Sequence, residues 1–172
     1  MNIFNKFKKN NKINEEITSA SDWFSKGESL VKFGKLEESL ECYDKALEIN
    51  PQHVYSWNNK GDTLAKLGKH VEAIYCFDKS LDSLPKNSSK YGDIMINKGN
   101  SLISLSRFNE ALDCCSESVK INPQNVRAWF NKGSILYIMH RKEEAKRCFD
   151  KVCLLNPEMR QSVESLLKHY GI

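Results

Sequence analysis

The sequence predicts an all-α protein, a solenoid of four helix-turn-helix repeats closed by a C-terminal capping helix. Three observations carry that prediction. Gly27, Gly61, Gly99 and Gly133 are separated by 34, 38 and 34 residues, and Pro51, Pro85, Pro123 and Pro157 reproduce the same series in register with them. Between these markers the apolar residues recur at helical rather than strand spacing. In the stretch from Val54 to Pro85, Trp57, Gly61, Leu64 and Leu67 fall on one face of a first helix. Ala73, Phe77, Ser80, Leu81 and Leu84 form the stripe of a second, with Gly68 in the break and Pro85 at the end. A glycine inside a helix costs about 1 kcal/mol against alanine. Its recurrence therefore predicts a place where two helices approach too closely for a side chain, with Ala73 as the small neighbour of Gly61.

Further series keep the same register. Trp23, Trp57 and Trp129 stand four residues before three of the glycines, with Met95 in the remaining place. Ser39, Ala73, Ala111 and Ala145 give a small-residue series, and Tyr43, Phe77, Cys115 and Phe149 a bulky one. At these residues the chain resembles the tetratricopeptide repeat family, whose W-x2-L-G-x2-Y, A-x3-F and P signature is matched in outline four times over about residues 20 to 159. It departs from that signature at Lys26, Lys60, Lys98 and Lys132, at Leu30, Leu64, Leu102 and Leu136, and at Cys115, and the third repeat matches least well. The resemblance implies a right-handed superhelix of antiparallel helix pairs, whose concave face is lined by each first helix and binds peptide segments of other proteins.

Taken in order, residues 1–19 read as a basic, solvated and disordered tail, in which Lys6, Lys8, Lys9 and Lys12 meet no acid before residue 13. The remaining chain balances 22 basic against 22 acidic residues, so a net charge of +4 is local and argues against a nucleic-acid partner. Ile3, Phe4 and Phe7 beside those lysines allow weak contact of residues 1–12 with a membrane surface. The four repeats are 20–53, 54–87, 92–125 and 126–159, and 160–172 forms the capping helix. Ser19 or Ser21 caps the first helix, acids open the second helices, and Asn50, Asn122 and Asn156 stop before proline. Four extra residues after Pro85 amount to about one helical turn, so the third repeat's first helix is expected to begin near Ser88 or Ser89. Met159, Val163, Leu166, Leu167 and Tyr170 fall on the stripe that covers the last apolar face.

Cys42, Cys76, Cys114 and Cys148 occupy one register position, so neighbouring equivalents stand about 8 to 10 Å apart, too far for a bridge. They read as packing residues in a reducing, cytoplasmic compartment, with no disulfide, metal site or cofactor. The four histidines take scattered register positions and no nucleophile or phosphate-loop motif occurs, so the expectation is a scaffold or adaptor rather than an enzyme. A peripheral membrane tether using the N-terminal segment is the alternative. The tryptophans are expected to be clamped between hairpins. Opposite them helical spacing places a groove for a peptide of an unidentified protein: Tyr55, Asn58, Asn59 and Asp62, then Asp93, Ile96, Asn97 and Asn100, then Arg127, Phe130, Asn131 and Ser134, with Ile103 and Tyr137 further along. Asparagines both donate and accept hydrogen bonds, and in the resembled family similar asparagines hold a peptide backbone. With Arg127 the one cation among these residues and Glu28, Asp62 and Asp93 nearby, an internal segment with apolar anchors and little negative charge is expected.

Overall fold

A computed structural model describes residues 19–171. The expectations for residues 1–18, the membrane contact among them, lie outside the described residues. Four helical hairpins follow in order: α1 (Ala20–Lys32) with α2 (Leu36–Ile49), α3 (Val54–Lys66) with α4 (His70–Asp82), α5 (Ser89–Ser104) with α6 (Phe108–Ile121), and α7 (Val126–Ile138) with α8 (Lys142–Leu155). A 3-10 turn at Pro157–Met159 leads into α9 (Arg160–Tyr170). Each first helix packs on its own second helix, each second helix packs on the next hairpin, and successive first helices touch side by side. The first helices thus form one continuous inner face and the second helices the outer one. Among the described residues there is no strand, and no helix is long and apolar enough to cross a membrane.

Local chemistry sets the helix limits. The Ser19 hydroxyl accepts from the Asp22 amide at 3.1 Å, which fixes the first N-terminus. Helix α5 begins at Ser89 with Ser88 as its cap and has 16 residues against 13 in α3, so three of the four extra residues are absorbed as helix and one stays in the connection before it. Inside every hairpin the turn passes through a left-handed residue at one register position: Gly34 (φ 74°), Gly68 (φ 76°), Ser106 (φ 57°) and His140 (φ 60°). Glycine adopts that conformation at no steric cost, whereas serine and histidine pay for their Cβ.

The core runs through the seams between helices. Ser39, Ala73, Ala111 and Ala145 are fully buried, as are Tyr43, Phe77, Cys115 and Phe149. The rings of Tyr43 and Phe77 lie directly on Gly27 and Gly61; an added Cβ would sit 2.6 and 2.7 Å from a ring carbon. The close neighbour of Gly61 is therefore Phe77 rather than Ala73. All six cysteines are free and buried. Burial pushes the Cys76 and Cys114 thiols up to about 11 and Cys115 to about 12, far from thiolate chemistry near neutral pH.

The tryptophans are less enclosed than the expected clamp. Trp57 and Trp129 are half-buried, packed on clusters that reach Ile94 of the next hairpin and Ile96 and Val119 of the preceding one, respectively, and each indole N–H donates to the carbonyl of the preceding proline, Pro51 at 2.8 Å and Pro123 at 2.9 Å. Lys60 and Lys132 lie over the two rings, each 5.6 Å from the centroid. Tryptophan tolerates this position because its apolar body packs while its one donor finds an acceptor. At the far end Val163 is buried against Leu136, Phe149 and Val152, with Met159, Leu166, Leu167 and Tyr170 around it. The outward side of α9 carries Arg160, Gln161, Glu164 and Lys168.

Candidate functional site

The inner face is built from the first helices, and its polar groups are linked across repeats. Asn59 donates to the Glu28 carboxylate at 3.3 Å, joining repeats one and two. Asn58 donates to the Asn59 side-chain carbonyl at 3.0 Å and accepts from Asn97 at 3.3 Å, joining two and three. Between three and four, Arg127 donates to Asn97 at 3.3 Å, Asn131 to Asn100 at 2.7 Å and Asn125 to Asp93 at 3.3 Å. The asparagine series expected to face a ligand is thus held in place by its own members. Such a network orients amide groups without moving parts, which lowers the ordering cost of binding.

Two open clefts lie along this face. The first, of ≈ 180 Å³, is lined by Glu28, Lys32, Asn59, Asp62 and Lys66, and the second, of ≈ 330 Å³, by Asp62, Lys66, Asn97, Asn100, Ser104 and Arg127. Asp62 and Lys66 form the wall they share, and the Asp62 carboxyl is shifted by its surroundings. Burial raises its pKa, and Lys66, Arg127 and Lys90 oppose that rise in this order. Tyr55 lines neither cleft; it is 51% exposed, with the Lys90 ammonium 4.9 Å from its ring centroid. Beneath the first cleft burial pushes the Tyr43 hydroxyl up to about 12, partly countered by its hydrogen bond with Asn59.

Several residues expected in the groove do not line it. Ile96 is fully buried against Val119 and Ala128, because its position in the first helix points into the seam with the next hairpin. Asn58 takes the equivalent position and is 6% exposed, so it supports the ladder without being open to a ligand. Tyr137 is stacked on Tyr170 of α9, with centroids 3.6 Å apart and planes at 9°. Phe130 is half-buried, edge-on to Phe149 at 5.6 Å. Asn59, Asp62, Asn97, Asn100, Arg127 and Asn131 are brought to one surface, while Tyr55 meets Phe24, His53 and Lys90 instead. Sequence reasoning missed Lys66, Ser104 and Lys90. The first two share a register position with Lys32 and Ile138, one turn beyond Asp62 and Asn100, and that column could have been read. Lys90 belongs to the extra turn of α5 and has no counterpart to align.

Along the array the character of the face changes. Repeats one and two offer Glu28 with Lys32 and Asp62 with Lys66; repeats three and four offer Asn100 with Ser104 and Ser134 with Ile138. That column is charged in the first two repeats and uncharged in the last two, where Arg127 and Asp93 of the ladder supply the remaining charge.

Family models described as tetratricopeptide repeat match residues 20–53, 42–75, 92–125 and 126–159. No curated protein matches the chain in sequence. Among solved structures the chain is similar to MamA, at 18% identity over 84% of each chain with a TM-score of 0.73. It is also similar to residues 41 to the end of MamA from Desulfovibrio magneticus RS-1, at 17% identity over 83% of this chain and 78% of that one, TM-score 0.75. A third is YrrB, described as a TPR protein with an unusual peptide-binding site, at 26% identity over 86% of this chain and 74% of that one, TM-score 0.71.

Proposed function

Because the chain belongs to the tetratricopeptide repeat family, we propose that this protein-protein interaction scaffold grips an extended peptide segment of a partner on its inner face. The observation that carries the reading is the bonded ladder from Glu28 through Asn59, Asn58 and Asn97 to Arg127, which lies beside the two clefts that meet at Asp62 and Lys66. Amides held in this way present donors and acceptors at repeat spacing to a peptide backbone, while the clefts take its side chains. The peptide-binding site described for the similar protein YrrB agrees with a peptide partner. Paired charges at one column of the first two repeats, replaced by Asn100, Ser104, Ser134 and Ile138 in the last two, favour an internal segment that is more polar over the first two repeats than over the last two. Its affinity is expected to be micromolar in order.

The test is a pull-down with the full chain against an Asn97→Ala, Arg127→Ala variant whose helicity is unchanged. Loss of captured partners by about tenfold or more supports the groove. Equal capture by both proteins places binding elsewhere on the array.

A further inference from the structure

Each of the four first helices is capped by a side chain. On α1, α5 and α7 the cap is an oxygen that keeps its charge state near neutral pH, from Ser19, Ser88 and Asn125. On α3 it is His53. The imidazole Nδ1 accepts from the Ser56 amide at 3.2 Å and lies 2.7 Å from the Ser56 hydroxyl. A backbone N–H only donates, so this cap requires a bare Nδ1, with the ring proton on Nε2.

The same ring is packed into the joint between the first two hairpins. Phe24 of α1 stands edge-on to it, with centroids 5.3 Å apart at 64°, and Tyr43 of α2 lies 6.1 Å from Phe24 in turn. Tyr55 of α3 stands 6.1 Å away at 61°, and beyond it the Lys90 ammonium of α5 is 4.9 Å from the Tyr55 centroid. These contacts include no carboxylate, and Lys90 has the sign of an imidazolium, so a charged ring gains no ion pair from them. Burial accordingly pushes the His53 imidazole below its ordinary pKa.

We propose that His53 is an acid-sensitive latch on the first joint, in which protonation of Nδ1 uncaps α3 and loosens its N-terminus from α1. The new Nδ1–H points a proton at the Ser56 N–H, which keeps only the His53 carbonyl at 3.0 Å. It can donate to the Ser56 hydroxyl, but the proton of that hydroxyl must then find another acceptor, and Ser56 is fully buried. An imidazolium at this end also opposes the positive pole of the helix dipole. Because the folded-state pKa lies below that of the unfolded chain, the stability that His53 contributes is present above the unfolded value, about 6.5, and is lost as pH falls through the folded one. The latch acts on the joint itself, whether or not a peptide occupies the inner face.

Thermal unfolding and amide hydrogen exchange of the full chain, between about pH 8 and pH 5, test this against a His53→Asn variant. That variant places here the residue type that caps α7 and leaves the other histidines in place. On acidification the wild-type midpoint should fall further than the variant's by about 2 to 4 °C, and protection of the Ser56 and Trp57 amides should drop about fivefold relative to the variant. Equal pH dependence in the two proteins overturns the latch, as does a wild type that gains on the variant in acid, since the surrounding rings would then favour the imidazolium. Imidazole nitrogen-15 shifts of the wild-type protein give a check that needs no substitution: His53 should carry its proton on Nε2 at neutral and alkaline pH and titrate below about 6.5. An Nδ1–H tautomer under those conditions overturns the cap on which the latch depends.

Discussion

In the second hairpin the Phe77 ring lies so near Gly61 that an added Cβ would stand 2.7 Å from a ring carbon. In the third, Gly99 faces Cys114 and Cys115, and the same added carbon would meet nothing nearer than 3.5 Å. The second hairpin has Trp57 and a glycine at the left-handed turn; the third has Met95, a first helix of 16 residues in place of 13, and Ser106 at that turn. One hairpin is held by an aromatic ring that demands a glycine, the other by small residues and an extra helical turn. A repeated residue therefore does not mean a repeated constraint.

Three substitution pairs probe that difference by thermal or denaturant unfolding. The largest loss is expected for Trp57→Ala, about 3 kcal/mol, which removes a large half-buried ring together with its hydrogen bond to Pro51; Met95→Ala should cost less. Next comes the glycine pair. Gly61→Ala should destabilise by roughly 1 to 2 kcal/mol, since the Phe77 ring must move, whereas Gly99→Ala should be neutral or stabilise by up to about 1 kcal/mol through helix propensity. Equal effects at the two glycines would erase the distinction between the hairpins. The smallest pair lies at the turn: Gly68→Ala should cost about 1 kcal/mol, and Ser106→Gly should gain a similar or smaller amount. A loss on Ser106→Gly would mean that the serine side chain contributes more than its strained backbone costs.

Much of this arrangement was legible in sequence, for identifiable reasons. The glycine and proline series fix hairpin length and register, and three of the four extra residues translate into the extra turn of α5 because helix is the one structure that keeps the flanking register. Ile96 was misplaced because a face read from one isolated helix ignores the next hairpin, and its position turns into that seam. Tyr137 was lost to Tyr170, 33 residues later, a contact set by how α9 docks and by nothing local. Register columns held more than was taken from them: Gly34 and Gly68 point to the strained turns at Ser106 and His140. The half-exposure of the tryptophans had no such signal, since an apolar stripe does not say how fully each of its members is covered.

The joints between repeats are tied unequally. On the outer side Lys60 pairs with Asp44 and Lys98 with Asp78 at 2.6 Å, but Ser116 occupies that column opposite Lys132, and among the described residues no ion pair crosses the third joint. On the inner side the third joint has three side-chain hydrogen bonds, the first has two, from Asn59 to Glu28 and between Tyr43 and Asn59, and the second has one. Among the described residues the side-chain ties at the third joint thus lie on the inner face alone, whereas the first two joints are tied on both faces. A strip fastened along one edge bends about that edge.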